Sequence, residues 1–374
     1  MKQNWTYKKL GDYIKEYNVK NKSNESISVY SVTNSQGFCK EYFSKEVASK
    51  DKTTYKIVPY GCFAYNPSRI NVGSIDWQHE EEQVIVSPLY NVFSISKDIM
   101  QEYLLYYLKS ANTMAYINAI ATGTVRANLK MSMLKDFVLP LPPLSTQQSI
   151  VAELDEINNL LSLKRKELDA YDKLAQSLFY EMFGDPSFET KTLDEIYKFI
   201  DYRGKTPNKI NSGIPLVTAK NVRKGYLDYT IKDFISLDEY KGRQTRGIAK
   251  KGDLLFTTEA PLGYAALADL EEYSAGQRVI ALQSKGDDIV NTYVMYYILS
   301  DAFQHELSRQ ATGSTAQGIK ASKLKNMSIP LPPLSLQQTF ATRIEAIEVQ
   351  KANVKAAIEK LETLLAARMQ YWFE

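Results

Sequence analysis

Apolar residues between positions 150 and 182 obey one spacing rule. Ile150, Leu154, Ile157, Leu161, Lys164, Leu168, Tyr171, Ala175, Leu178 and Met182 follow steps of four and three, the seam of a coiled-coil helix. The stripe returns at Phe340, Ile344, Ile347, Lys351, Val354, Ile358, Leu361, Leu365, Arg368 and Trp372. The spacing predicts two helices of about 39 residues, each roughly 58 Å long at about 1.5 Å per residue. Neither stripe has a partner unless the two helices pair. Lys164 and Lys351 interrupt the seam, where a charge either fixes register or reaches solvent along its stem.

Each helix is entered through nearly the same ten residues, LPLPPLSTQQ at 139–148 and IPLPPLSLQQ at 329–338. The prolines keep the chain extended. Ser145 with Gln148, and Ser335 with Gln338, have the spacing of a capping box at the helix start. The first helix stops at Phe183-Gly184-Asp185-Pro186, glycine then proline, while the second runs to the last residue.

The likeness extends upstream. ATGTVRANLKMSMLKDFVLPLPPL at 121–144 meets ATGSTAQGIKASKLKNMSIPLPPL at 311–334 without a gap, and Tyr103, Tyr106 and Tyr107 fall on Tyr293, Tyr296 and Tyr297. This is a duplication. Nearer the start of each half the likeness fades, and the second copy holds about seven extra residues. These tyrosines lie on a repeated helix and are read as core. The pattern divides the chain into a globular segment 1–144, a helix 145–184, a second globular segment 185–334 and a helix 335–374. The expected fold class is α+β, two duplicated α/β domains separated by two long antiparallel coiled-coil helices, a pseudo-two-fold dumbbell.

Net charge is +3 over 374 residues, which neither demands nor excludes a polyanionic partner, so distribution matters more than the sum. The positive surplus belongs to the two globular segments. Cys39, Cys62, His79 and His305 are far apart in sequence, which argues against a disulfide framework or a structural zinc site. With no apolar leader and no long apolar run, the expectation is a cytoplasmic protein without a membrane segment.

Catalytic motifs do not withstand inspection. Gly204-Lys205-Thr206 ends like a phosphate-binding loop, but the glycine that loop needs five residues earlier is Phe199. Asp185-Pro186-Ser187-Phe188 approaches an amino-methyltransferase signature, yet it sits where a helix must stop and lacks a methyl-donor turn. No G-x-S-x-G and no H-E-x-x-H occurs, so proton transfer would rest on carboxylates that nothing singles out.

Binding remains. KGRQTRGIAKK at 241–251 carries Lys241, Arg243, Arg246, Lys250 and Lys251 without an acid, a run able to neutralise phosphates. Arg203, Lys205, Lys220, Asn221 and Arg223 mix cations with an amide, the side-chain types that read guanine and adenine edges. In the first half the corresponding candidates are Asn34, Ser35 and Gln36, with Asn66 and Arg69 in the next loop. A solvated basic loop is the plainer reading of the 241–251 run.

The duplicated P-L-P-P-L-S-x-Q-Q entry, the Met182-Phe183-Gly184-Asp185-Pro186 exit, the paired A-T-G-T/S segments and the alternation of two divergent units with two similar helices resemble the specificity subunit of type I restriction-modification systems. The resemblance covers essentially the whole chain. It implies two target recognition domains that each read one half of a split double-stranded DNA site. The helices would be the spacer, with Ile150, Leu154, Ile157, Leu161 and Leu168 facing Ile344, Ile347, Ile358, Leu361 and Leu365. Two methyltransferase subunits, carrying S-adenosylmethionine, would dock on the helical region to methylate adenine. Where the system also cleaves DNA, up to two restriction subunits using ATP and magnesium would join them. This chain would be a non-catalytic reader that holds no cofactor and no metal. Two other classes stay open: a self-contained DNA-modifying enzyme, which needs a methyl-donor site, and a coiled-coil adaptor, which leaves the duplicated globules unexplained.

Overall fold

The computed structural model describes residues 5–40, 51–121, 128–184, 187–202, 206–313 and 317–374. The two predicted helices are present as Leu144–Phe183 and Leu334–Phe373. The chain divides into two compact units, one made of residues 1–166 with 355–374 and the other of residues 167–354. Both boundaries cut through the long helices, so each unit owns half of each.

In the first unit a four-stranded antiparallel sheet runs in the order Ile14–Glu16, Asn91–Ile95, Phe63–Tyr65, Ile75–Trp77. In the second unit the order is Tyr197–Asp201, Val279–Ser284, Leu254–Thr257, Ala265–Leu267, again antiparallel throughout. The duplication read in the sequence is therefore a duplication of topology. Pairing of this kind, with helices on one face, makes each unit α+β.

These sheets are buried on both sides, and the two-residue period of a strand decides which core each side chain joins. Along Val279–Ser284, Ile280 and Leu282 enter one cluster while Val279 and Ala281 enter another. Phe63, Tyr65 and Phe93 likewise face one core and Ala64 and Val92 the opposite one. One face of each sheet packs on the repeated helices, Gln101–Lys109 in the first unit and Asn291–Leu299 in the second. The other face carries the segments in which the two copies differ. Tyr103 and Tyr293 are fully buried on the helix side, and their hydroxyls donate to the carbonyls of Pro140 at 2.7 Å and Pro330 at 2.8 Å.

Within each unit the two half-helices run antiparallel. In the first, Glu153 meets Arg368 and Trp372 while Arg165 meets Glu362 at 2.8 Å. In the second, Asp172 meets Lys351 at 2.8 Å while Phe183 lies against Phe340 with ring centres 5.2 Å apart. Ile150, Leu154, Ile157, Leu161, Ile344 and Ile347 are buried, and Leu168, Ile358, Leu361 and Leu365 are half-buried. Lys351 keeps its charge: burial pulls its pKa down, but bonds to Asp172 and Glu348 outweigh that and leave it raised.

Each helix ends in the core of the other copy. Phe183 packs on Tyr293 with centroids 4.6 Å apart, and Phe373 sits 5.4 Å from Tyr103 and 6.2 Å from Tyr107. Trp372 stacks on Trp5 at 6.0 Å. The Asp185 and Pro186 of the helix exit lie outside the described residues.

The capping expectation needs correction. Both helices begin at a leucine, and the carbonyl of Pro143 accepts from the N–H groups of Thr146 at 2.9 Å and Gln147 at 3.0 Å. Ser145 lies inside the first turn and Gln148 is exposed. Pro333 serves Leu336 and Gln337 in the same way. A proline with preset φ starts the helix, and the glutamine one position before the expected box residue, Gln147 or Gln337, is the buried one.

Candidate nucleic-acid interface

In the first unit four nominated residues meet. The hairpin Ser31–Thr33 and Gly37–Cys39 lies beside the loop 66–74, and together they line a groove of about 430 Å³ that includes Asn34, Ser35, Asn66 and Arg69. Local bonds shape it. Thr33 Oγ1 accepts from Gln36 N at 3.1 Å and closes the hairpin turn, while Asn66 Oδ1 accepts from Ser68 N at 3.0 Å in an Asx turn. Ser74 Oγ donates to the Val32 carbonyl at 2.6 Å and ties the two segments together.

Two glycines allow this approach. Gly73 has φ +83°, and a Cβ there would stand 2.2 Å from Asn34 Oδ1. At Gly37, φ +60°, it would stand 1.8 Å from Asp76 Oδ2. Asp76 accepts from Phe38 N at 3.1 Å and Trp77 N at 2.8 Å. Burial raises its pKa, partly offset by those bonds and by Lys109. Asn34, Ser35, Gln36 and Arg69 remain exposed, so a cation and several amide or hydroxyl groups face solvent around one concavity.

In the second unit the strands Ile214–Val217 and Ser274–Ala275 pair in parallel, and the nominated residues divide sharply. Asn221 is 2% exposed. Its Oδ1 accepts from Thr218 N and Thr218 Oγ1, both at 2.9 Å, and its Nδ2 donates to the carbonyls of Asp228 and Ile231 at 2.9 and 2.8 Å. That fills the bonding capacity of an amide. Arg243 is also buried: Nε donates to Ser274 Oγ at 3.1 Å, Nη2 to the Ala275 carbonyl at 3.0 Å, and the guanidinium lies over the Tyr202 ring. Burial holds its pKa below the usual arginine range. Both side chains secure loops and face away from solvent.

Arg223 pairs with Asp228 at 3.2 Å, Arg246 donates to the Asp201 carbonyl at 2.9 Å and Lys251 pairs with Glu271 at 2.7 Å. Lys220, Lys241 and Lys250 are exposed. Arg203 and Lys205 lie outside the described residues. Gln277 and Arg278, on the turn before Val279, carry no motif that singles them out in the sequence. There Gln277 Nε2 donates to Thr206 Oγ1 at 2.7 Å, and Arg278 pairs with Glu259 at 2.8 Å. Their adjacent amide and cation were the available signal.

Among the described residues no group of three His, Cys, Asp or Glu is placed to hold a metal ion, and no helix is long and apolar enough to cross a membrane.

Comparison with known proteins bears on the fold and its repeat. The model of the type I restriction modification DNA specificity domain matches residues 2–170 and again 187–363. The chain is 24% identical over 298 residues to the putative MjaX specificity subunit of Methanocaldococcus jannaschii, a match that covers 70% of this chain and 66% of that protein. It is 20% identical over 335 residues to the EcoKI specificity subunit of Escherichia coli K12, covering 80% and 71%. A chain solved in a study of complex assembly and conformational transition of the type I R-M system superposes with a TM-score of 0.62 at 20% identity, over 100% of this chain and 98% of that one. That likeness supports the fold.

Proposed function

Given that the chain belongs to the type I restriction modification DNA specificity family, with the domain present twice, we propose that it reads a two-part double-stranded DNA site, one half per recognition domain. The observation that carries this is the placement of the differences. Both units keep one sheet order and one helix-side core, and they diverge on the opposite face. Two unlike readers built on one frame suit two unlike half-sites.

In the first domain the reading groove is that of Asn34, Ser35, Asn66 and Arg69, whose side-chain types can make bidentate contacts to base edges or bonds to phosphate. In the second, Lys220, Lys241 and Lys250 supply phosphate contacts, Gln277 and Arg278 are added as readers, and Asn221 and Arg243 act as loop supports. The long helices act as the spacer that fixes the unread gap. Catalysis comes from partners: two methyltransferase subunits with S-adenosylmethionine for adenine methylation, and restriction subunits with ATP and magnesium for cleavage. Leu163 and Leu364 in the first unit, and Leu174 and Val349 in the second, exposed on the long helices off the seam, offer those partners apolar contacts.

The test is co-expression with a type I methyltransferase subunit that binds this chain, followed by single-molecule sequencing of host DNA. A two-part motif with a constant gap, and Arg69→Ala relaxing one half only, are expected. An uninterrupted motif would sink the two-reader reading.

A further inference from the structure

The sequence repeats a second glutamine-bearing feature that capping does not explain. Gln147 is fully buried. Its Oε1 accepts from Met100 N at 2.9 Å, and its Nε2 donates to the carbonyls of Asp98 at 2.9 Å and Pro142 at 3.0 Å. Gln337, also fully buried, repeats all three bonds: Oε1 accepts from Val290 N at 2.9 Å, and Nε2 donates to Asp288 at 3.3 Å and Pro332 at 2.8 Å.

The backbone groups it holds belong to two bends. Asp98–Met100 turns the chain from the last sheet strand, Asn91–Ile95, into the helix Gln101–Lys109. Pro142 turns it from the strand Val138–Leu141 into the long helix. Ser96 closes the first bend locally, through Asp98 and the Ile99 N–H, but among the described residues no local bond joins one bend to the other. Met100 and Val290, at the starts of their helices, make no side-chain cap bond, and proline carries no N–H to give. One buried amide therefore welds both bends, in both copies, and joins the recognition sheet to the start of its spacer helix.

We infer that Gln147 and Gln337 are positioning residues for DNA recognition: they fix the angle between each recognition domain and its helix, and thereby the number of unread base pairs between half-sites. They touch no base. The inference rests on the two-part reading above. It adds that helix length alone does not set the gap, because a loose joint would let one domain settle a base pair nearer or farther.

The methylated motif of the co-expressed complex reads this directly. Wild type serves as the reference, and an uninterrupted wild-type motif would overturn the two-part reading itself. Given a constant wild-type gap, Gln147→Ala and Gln337→Ala should each leave the half-site bases unchanged. Each should raise the share of sites methylated with a gap one base pair longer or shorter by tenfold or more. Leu154→Ala, which removes a neighbouring buried side chain but none of these bonds, should lower yield or activity with the gap still sharp. A gap as sharp in the glutamine variants as in wild type would overturn the inference, and so would equal broadening by Leu154→Ala. If the alanine variants do not fold, Gln147→Met and Gln337→Met, which keep the side chain's length but make none of the three bonds, are judged by the same outcomes.

Discussion

Arg243 and Arg69 show how two arginines nominated for the same task separate once their surroundings are known. Arg69 stands exposed at the edge of a groove, whereas Arg243 spends its donors on Ser274 and Ala275 beneath the second domain's surface. The guanidinium of Arg69 is free to neutralise a phosphate or to fork onto a guanine. Removing Arg243 would instead leave buried oxygen atoms without donors, at about 1–3 kcal/mol. Arg69→Ala should therefore lower the salt slope of DNA binding by about one, while Arg243→Ala should lower the stability of the second unit and leave that slope unchanged. Salt titrations of DNA affinity, paired with denaturant unfolding of each variant, separate the two. A reduced slope for Arg243→Ala in a fully folded protein would return it to the interface. Asn221, with four internal bonds, belongs with Arg243.

At the scale of the element, the helix pair is held by an apolar seam and fixed by a few charged contacts at its side. Glu153 is the clearest. Its hydrogen bond with Arg368 and, less strongly, that from Trp372 hold its carboxyl below the ordinary value of 4.5, against a burial effect in the other direction. A carboxyl depressed by folding adds stability that is complete above the unfolded value and lost as pH falls through the folded one. The pair is about one-third exposed, so after solvent screening the contribution is at most about 1 kcal/mol. Glu153→Gln should accordingly melt below wild type at pH 7, and the difference should close as pH falls well under 4.5. Melting curves across that range check it; a difference that persists undiminished in acid would assign the loss to packing.

At the scale of the whole molecule, the compact units and the sequence repeats are different divisions of the chain. Phe373 completes the core of the first unit and Phe183 that of the second, so each copy is finished by the helix end of the other. Truncating a buried phenylalanine costs about 3–5 kcal/mol. Phe373→Ala should destabilise the unit containing Tyr103 and leave the unit containing Tyr293 close to wild type, and Phe183→Ala should do the reverse. Hydrogen exchange resolved by peptide reads the two units separately, which a single melting temperature does not. Equal loss of protection in both units with either variant would contradict the exchange of helix ends.

The seam residues, the proline entry and the duplicated tyrosines were legible because each signal is local: a period of 3.6 or 3.5 residues, or a ring that fixes φ, is a property of consecutive residues wherever they fold. Even there, the glutamine adjacent to the predicted cap proved to be the buried one, since Gln147 answers to Asp98 and Met100, nearly fifty positions away. The groove of the first domain was visible as two polar loops but not as one concavity, because Gly73 against Asn34 and Ser74 against Val32 are meetings that no spacing encodes. Likewise nothing in KGRQTRGIAKK marks Arg243 as the member that turns inward. The sequence by itself determined the repeated frame, since burying an apolar stripe depends on its period. Only the tertiary structure decided which polar side chains remain open to DNA, because a polar group is free or consumed according to partners that folding brings from elsewhere in the chain.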